Sequence, residues 1–441
     1  MKTIEEFIGK MIQGDCLEVL RDIPDNSVDA CVTDPPAGIS FMGKEWDTFD
    51  HDMFGKKGEE GENDLKVKKN FNILPRYNNA DLIGFQNFIC QAFTEVIRIL
   101  KPGGHALVWA IPKTSHHTAM GLERAGFEIR EKIFHIFGSG FPKSLNISKA
   151  IEKKNSPDKW KNNRYGGGNA KCSKCGKWII SGNPCKCPKD KIEFESVEAK
   201  QWDGWGTTLK PAVEEWILIR KPLSEDTIVE NVLKWRVGGL NIDGCRIKVD
   251  PEIDKSQLRT MNRSAKAQDE RKGWGMNAHT SDTPQVVSSK GRFPANIILD
   301  EESGKMLDKQ TGLLKSGDNC IRRQEGHFLK HGGLGKDGDV QTTYGDVGGA
   351  SRFFYCAKAS RKEKGENNEH PTIKPIALME YLVKLITKEG QIILDPFMGS
   401  GSTIIACIKQ NRNYIGIEKE TEYCEIAKKR IEEETRQGKL L

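Results

Sequence analysis

The sequence has no apolar run approaching the ~20 residues that a membrane span needs, and its mean hydropathy is −0.57. A spanning protein is excluded on that ground. The N-terminus, MKTIEEFIGK, lacks the basic stretch followed by an apolar one that marks a secretory signal, and carries acidic residues instead. An intracellular, cytoplasmic chain is expected. Net charge is scarce too: 68 Lys and Arg against 62 Asp and Glu leave +6 over 441 residues. Core-forming residues are not scarce. Hydrophobic residues make up 37% and glycines number 44, an ordinary globular composition that excludes a disordered or fibrous chain. At roughly 100–200 residues per domain, the length predicts two or three units.

The small total charge hides an uneven distribution. Between Lys143 and Lys189, twelve basic residues, among them Lys143, Lys153, Lys154, Arg164, Lys171, Lys174 and Lys177, face only Glu152 and Asp158. That segment carries +10, and the remainder is mildly acidic at −4. Such a stretch suits a polyanion partner, or else is a solvated lysine-rich insertion that touches nothing. Within it lie four of the twelve cysteines, as Cys172-Ser-Lys-Cys175 and Cys185-Lys-Cys187. The first pair has zinc-knuckle spacing, with Gly176 for the turn, and the C-x-C pair still allows tetrahedral thiolate coordination. A structural zinc is predicted here, inside a nucleic-acid-binding segment. The other eight cysteines, Cys16, Cys31, Cys90, Cys245, Cys320, Cys356, Cys407 and Cys424, are expected mostly as small buried hydrophobes.

Both ends of the chain alternate strand and helix. Val28–Thr33 is an apolar run stopped by Asp34-Pro35-Pro36, Phe85 to Leu100 shows helical spacing, and His105–Ile111 reads as a buried strand. Residues 50–80 are expected as a mobile loop. From Pro371 the rhythm returns, with a helix near 376–388, strand Gln391–Leu394, a glycine turn, helix 402–410 and strand Asn413–Ile417. This is the pattern of a parallel α/β sheet. The middle loses it, keeping one clear strand at Trp216–Ile219 and an aromatic-rich patch at Trp202–Gly206. The expected organisation is 1–140 and 366–441 as two halves of one α/β core, split by an insertion over 141–365.

Two motifs carry chemistry. Asp395-Pro396-Phe397-Met-Gly399-Ser-Gly401-Ser-Thr403 follows a strand and opens a helix, where glycines let the backbone pass close to a ligand. Glu418 ends the next strand, where an acid can take both hydroxyls of a ribose. Together they indicate a nucleoside cofactor. Asp34-Pro35-Pro36-Ala37 also follows a strand, and its two prolines remove two N–H donors. The turn therefore presents only acceptors, suited to a substrate with two N–H donors such as an exocyclic amine.

On these residues the sequence resembles the beta group of amino-methylating DNA methyltransferases, of bacterial or phage type. That family transfers methyl from S-adenosylmethionine to N6 of adenine or N4 of cytosine. Its catalytic D/N/S-P-P-aromatic motif is matched at Asp34, Pro35 and Pro36, but not at Ala37, and its cofactor motif at Asp395–Thr403. His370-Pro-Thr372-Ile-Lys374-Pro375 resembles the segment that folds over the methionine part of the cofactor, and Gly14-Asp15-Cys16 resembles the motif that contacts its adenine. The resemblance implies a Rossmann-like methyltransferase core carrying a long target-recognition insertion. It implies duplex DNA as partner, and is compatible with a homodimer and a cognate restriction enzyme.

The implied reaction is direct displacement at the sulfonium methyl by an exocyclic nitrogen that Asp34 and the Pro35 carbonyl hold and polarise. The target base must leave the duplex. In the family the aromatic after Pro-Pro stacks on it; Phe41 and Trp46 are candidates to replace what Ala37 cannot supply, though both could equally be core aromatics. Asp at position 34 favours adenine, with N4-cytosine the first alternative. RNA or protein N-methylation and a non-catalytic zinc DNA-binding protein follow. Cytosine-C5 chemistry through Cys185 is discounted, because a zinc-bound thiolate is not free to attack.

Overall fold

In a computed structural model, residues 2–39, 47, 49, 79–138, 140, 144–155, 170–171, 178–179, 194, 196–249, 290–315, 320–321, 340–341, 346–357 and 374–438 are described. They divide into two compact units, Met1–Gly138 with Val213–Leu441, and Ser139–Ala212. The larger unit is built on a nine-stranded sheet. Its strands in chain order are β1 Lys10–Gln13, β2 Ala30–Thr33, β3 His105–Ala110, β4 Glu128–Ile136, β5 Val213–Arg220, β6 Ile297–Asp300, β7 Tyr355–Ala357, β8 Ile392–Asp395 and β9 Asn413–Glu418. Across the sheet they run β1-β9-β8-β2-β3-β5-β4-β6-β7.

The central strands are mostly apolar because both faces of the sheet are covered. Every residue of β2, β3 and β8 is buried. Alternation along β3 deals its side chains to two cores. Ala106, Val108 and Ala110 face the first, with Phe85, Ile89 and Phe93 of helix Asn79–Ile99. Leu107 and Trp109 face the second, with Leu378, Met379 and Leu382 of Ile376–Ile386. Burying each such side chain is worth ~1.5–3 kcal/mol against leaving it in water.

The sheet is mixed where an all-parallel one was expected. Strand β5 runs antiparallel to both neighbours, β3 and β4, with Trp109 opposite Trp216 and Ile136 opposite Val213. The chain leaves the larger unit at the end of β4 and re-enters it at the start of β5, beside where it left, so the returning strand must run the other way. The expected insertion 141–365 also differs from what forms. Strands β5, β6 and β7 lie inside that range yet join the main sheet, and the separate unit is Ser139–Ala212 alone. The short β6 and β7 pair in parallel with each other, and β6 with β4. The loop expected over 50–80 lies almost wholly outside the described residues.

In the smaller unit, helix Ile147–Asn155 packs beside the short helix Val197–Gln201, whose Ser196 accepts a hydrogen bond from the Ala199 N–H and donates one to Glu152. Lys153 and Lys154 are exposed on the first helix. Trp202 and Trp205 pack edge to face with ring centroids 5.3 Å apart, both rings exposed. Lys143, Arg164, Lys174, Lys177, Cys172, Cys175, Cys185 and Cys187 lie outside the described residues, as does the side chain of Lys171, whose backbone pairs in the short strand Ala170–Lys171. Among the described residues no group of His, Cys, Asp and Glu is placed to hold a metal ion, and no helix is long and apolar enough to cross a membrane. Of the scattered cysteines, Cys16, Cys31, Cys245, Cys407 and Cys424 are buried, while Cys90 and Cys356 are half-buried.

Candidate active site

Strands β2 and β8 are parallel neighbours, so the segments that follow them emerge side by side at the carboxyl edge of the sheet. Asp34 follows β2, and Asp395 closes β8. The last residue of β2, Thr33, donates its hydroxyl to Asp395 Oδ1 at 2.7 Å, and the Phe397 N–H reaches the same oxygen at 3.2 Å. Both side chains in the Thr33–Asp395 bond are buried. Burial pushes the Asp395 carboxyl up to about 7, against the pull of Thr403, Thr33 and the Phe397 N–H, with the Asp34 charge adding to the rise.

The turn after Asp395 is held by its own glycines and by Glu418. Gly399 and Gly401 adopt φ of +53° and +80°, a left-handed backbone that other residues enter at a cost. Gly401 then begins helix Ser402–Lys409, with Thr403 buried in its first turn. Glu418, at the end of β9, accepts from the Gly399 N–H and the Glu420 N–H, each at 2.8 Å. Burial raises its carboxyl above the usual range, and these backbone donors hold it back. Each of its oxygens keeps a further lone pair, so it can also take a diol. Asp15 stands at the same edge, two residues past Gln13, which pairs with Glu418 in the β1–β9 ladder. There it caps helix Cys16–Asp22 through the Leu17 N–H at 2.9 Å and meets Lys419 at 3.2 Å. The arrangement fits a nucleoside cofactor: an acid at a strand end, a glycine turn and a helix start lie together.

Lys374, expected among the cofactor residues, is placed beside the acceptor turn. Its ammonium donates to Asp34 Oδ2 at 2.6 Å and sits over the Trp109 ring, 3.8 Å from the centroid. Burial raises the Asp34 carboxyl, Lys374 works against this, and the charge of Glu214 adds to it. Glu214 lies on β5 opposite His135 of β4, with His135 Nδ1 3.8 Å from its Oε2. Burial alone would raise Glu214, but Lys374 and the His135 and Trp109 side chains more than reverse this, bringing it down to about 2.

Past the two prolines the chain is pinned. The Ala37 carbonyl accepts from Thr114 Oγ1 at 2.7 Å, and Asp47 takes the N–H groups of Gly38 at 2.6 Å and Ile39 at 3.1 Å. Gly38 has φ +68°, and a Cβ there would meet the Phe85 ring at 2.6 Å. Phe41, Trp46 and Thr372 lie outside the described residues. Thr33, Trp109, Glu214 and His135 were not foreseen as site residues. Only Thr33 carried a signal, its place immediately before the Asp-Pro-Pro turn.

The acceptor turn and the glycine turn thus stand side by side on neighbouring parallel strands. The model of the DNA methylase family matches residues 28–429, and the chain belongs to that family. It is 41% identical over 83 residues to the type II methyltransferase M.BglI of Bacillus subtilis, a match covering 19% of this chain and 23% of that protein. It is 50% identical over 80 residues to the type II methyltransferase M2.DpnII of Streptococcus pneumoniae, covering 18% and 30%. The matches thus span less than a third of the length of these curated relatives. Among solved structures, a DNA modification methylase of Thermus thermophilus aligns with a TM-score of 0.39 at 14% identity, covering 96% of this chain and 95% of that one.

Proposed function

We propose that this chain transfers a methyl group from S-adenosylmethionine to the exocyclic N6 of an adenine flipped out of duplex DNA. The observation that carries this is the Thr33–Asp395 hydrogen bond, which ties the acceptor turn to the glycine turn at one sheet edge. Asp15, Glu418 and the turn Asp395–Thr403 would hold the cofactor, which when bound supplies an electrophilic methyl on a sulfonium. Asp34 and the Pro35 carbonyl accept the two N–H groups of the target amine. This localises the nitrogen lone pair, which is otherwise delocalised into the ring. As transfer proceeds, Asp34 faces a developing cation and can take the proton that the methylated nitrogen sheds. Asp at position 34 supports adenine over cytosine, through the family resemblance.

The same reading gives Lys153 and Lys154, with Lys143, Arg164, Lys171, Lys174 and Lys177, to phosphate contact in a cytoplasmic protein. It gives Cys172, Cys175, Cys185 and Cys187 to a structural zinc. What supports both is the sequence: the +10 segment and the cysteine spacing. Tritiated methyl transfer to unmethylated DNA tests the central claim. Asp34→Ala is expected to abolish transfer and leave S-adenosylmethionine binding nearly intact, and normal turnover by that variant would sink the proposed site. Single-molecule sequencing of DNA from expressing cells identifies base and sequence together, and transfer to RNA or protein instead would redirect the reading.

A further inference from the structure

A nitrogen of this chain already lies on the carboxylate to which the proposed function gives the target amine. Lys374 Nζ donates to Asp34 Oδ2 at 2.6 Å while lying 3.8 Å from the centre of the Trp109 ring. One nitrogen therefore satisfies both demands that an exocyclic amine on a stacked base would make, a hydrogen bond to Asp34 and contact with an aromatic face. Strand register explains the coincidence. Thr33 pairs with Val108 across β2 and β3, so the next residues, Asp34 and Trp109, stand level at the carboxyl edge. Ala37, where an aromatic would be expected, offers only a methyl group, and it packs against the same apolar cluster as Trp109.

We infer that the ring face of Trp109 is the platform on which the flipped base stacks, in place of the aromatic that Ala37 does not supply, and that Lys374 occupies this place until the base arrives. The base would exchange one donor on Asp34 for another, so the carboxylate is paired before and after. Lys374 has an anion to move toward: Glu214 lies at the same edge and stays ionised.

The inference rests on the methyltransferase reading, and its test separates the two. The full chain is titrated with a duplex carrying the site it methylates, with the target base intact, replaced by 2-aminopurine, or removed to leave an abasic position. Trp109→Leu is expected to lower the preference for the intact over the abasic duplex by roughly 5- to 150-fold, the worth of one base–aromatic stack. A 2-aminopurine stacked on the Trp109 ring is quenched, so Trp109→Leu should raise its fluorescence in the complex, with S-adenosylmethionine affinity unchanged. A purely structural role would weaken intact and abasic duplexes alike. Where Trp109→Leu does not fold, Trp109→Phe serves: its smaller ring should reduce the preference in the same direction and by less than the full stack. An unchanged preference in the variant that folds, or a loss carried instead by Phe41→Leu or Trp46→Leu, overturns the assignment. A wild-type chain that methylates no DNA overturns the methyltransferase reading, and the assignment falls with it.

Discussion

Thr33 and Asp395 are 362 residues apart in the chain and 2.7 Å apart in the fold, hydroxyl to carboxylate, with both side chains buried. The bond joins the ends of two parallel strands whose following turns carry the acceptor surface and the glycine loop. The pairing of the strands beneath brings the two turns together, and this contact ties them at the edge.

Thr33→Val keeps the shape of the side chain and removes the donor. Asp395 Oδ1 then retains only the longer bond from the Phe397 N–H. The expected loss is about 1–3 kcal/mol of unfolding free energy, measured by denaturant titration, with Thr33→Ser recovering part of it.

Asp395 gives a pH signature of defined sign. Its folded-state value of about 7 lies above the ordinary 3.8, so between those values the folded protein binds more protons than the unfolded chain. Its contribution to stability is complete below pH 3.8 and is lost as pH rises through 7. Unfolding free energy measured across that window should fall less steeply in Asp395→Asn than in the wild type. Glu214, held down to about 2, acts with the opposite sign at lower pH, between 2 and its ordinary 4.5.

Lys374→Met removes the cation that counters the burial of Asp34. The Asp34 carboxyl should rise, moving the acid limb of kcat/KM, which reports the free enzyme, to higher pH. If the base displaces Lys374, the acid limb of kcat should stay where it is. Steady-state methylation across pH 5–9 (a range of roughly two decades of protons either side of neutrality) separates the two profiles.

Lys153 and Lys154 share one exposed stretch of helix in the smaller unit. If both contact phosphate, their joint reversal to Glu should lower the slope of log K against log salt by about 2, since each contact contributes ~0.9. Cofactor affinity should not change. Atomic absorption on the same protein should find one zinc per chain, lost in Cys172→Ser with Cys175→Ser.

The parts of this fold that were legible in the sequence are those that local pattern specifies. Strand β3 is one unbroken apolar run, and β8, the glycine turn and β9 follow each other within 27 residues, close enough for spacing to imply contact. The strands β6 and β7, of four and three residues, were not legible, because so short a run has no periodicity and is ordered by its neighbours. Orientation was hidden for the same reason: nothing in Val-Glu-Glu-Trp-Ile-Leu-Ile-Arg says that this strand runs antiparallel. In the site, Asp34, Asp395 and Glu418 stand at strand ends and could be found as such. Trp109, Glu214 and His135 could not, because an aromatic, an acid and a histidine on three strands gain meaning only through the register that aligns them.

The pairing of Ile136 with Val213 has a consequence for how such a chain can change. Everything from Ser139 to Ala212 hangs between two strand ends that are already partners in the sheet, so a short hairpin could close the same gap without disturbing a single ladder bond. The β4–β5 ladder thus leaves the length and chemistry of the chain between those two positions free to vary.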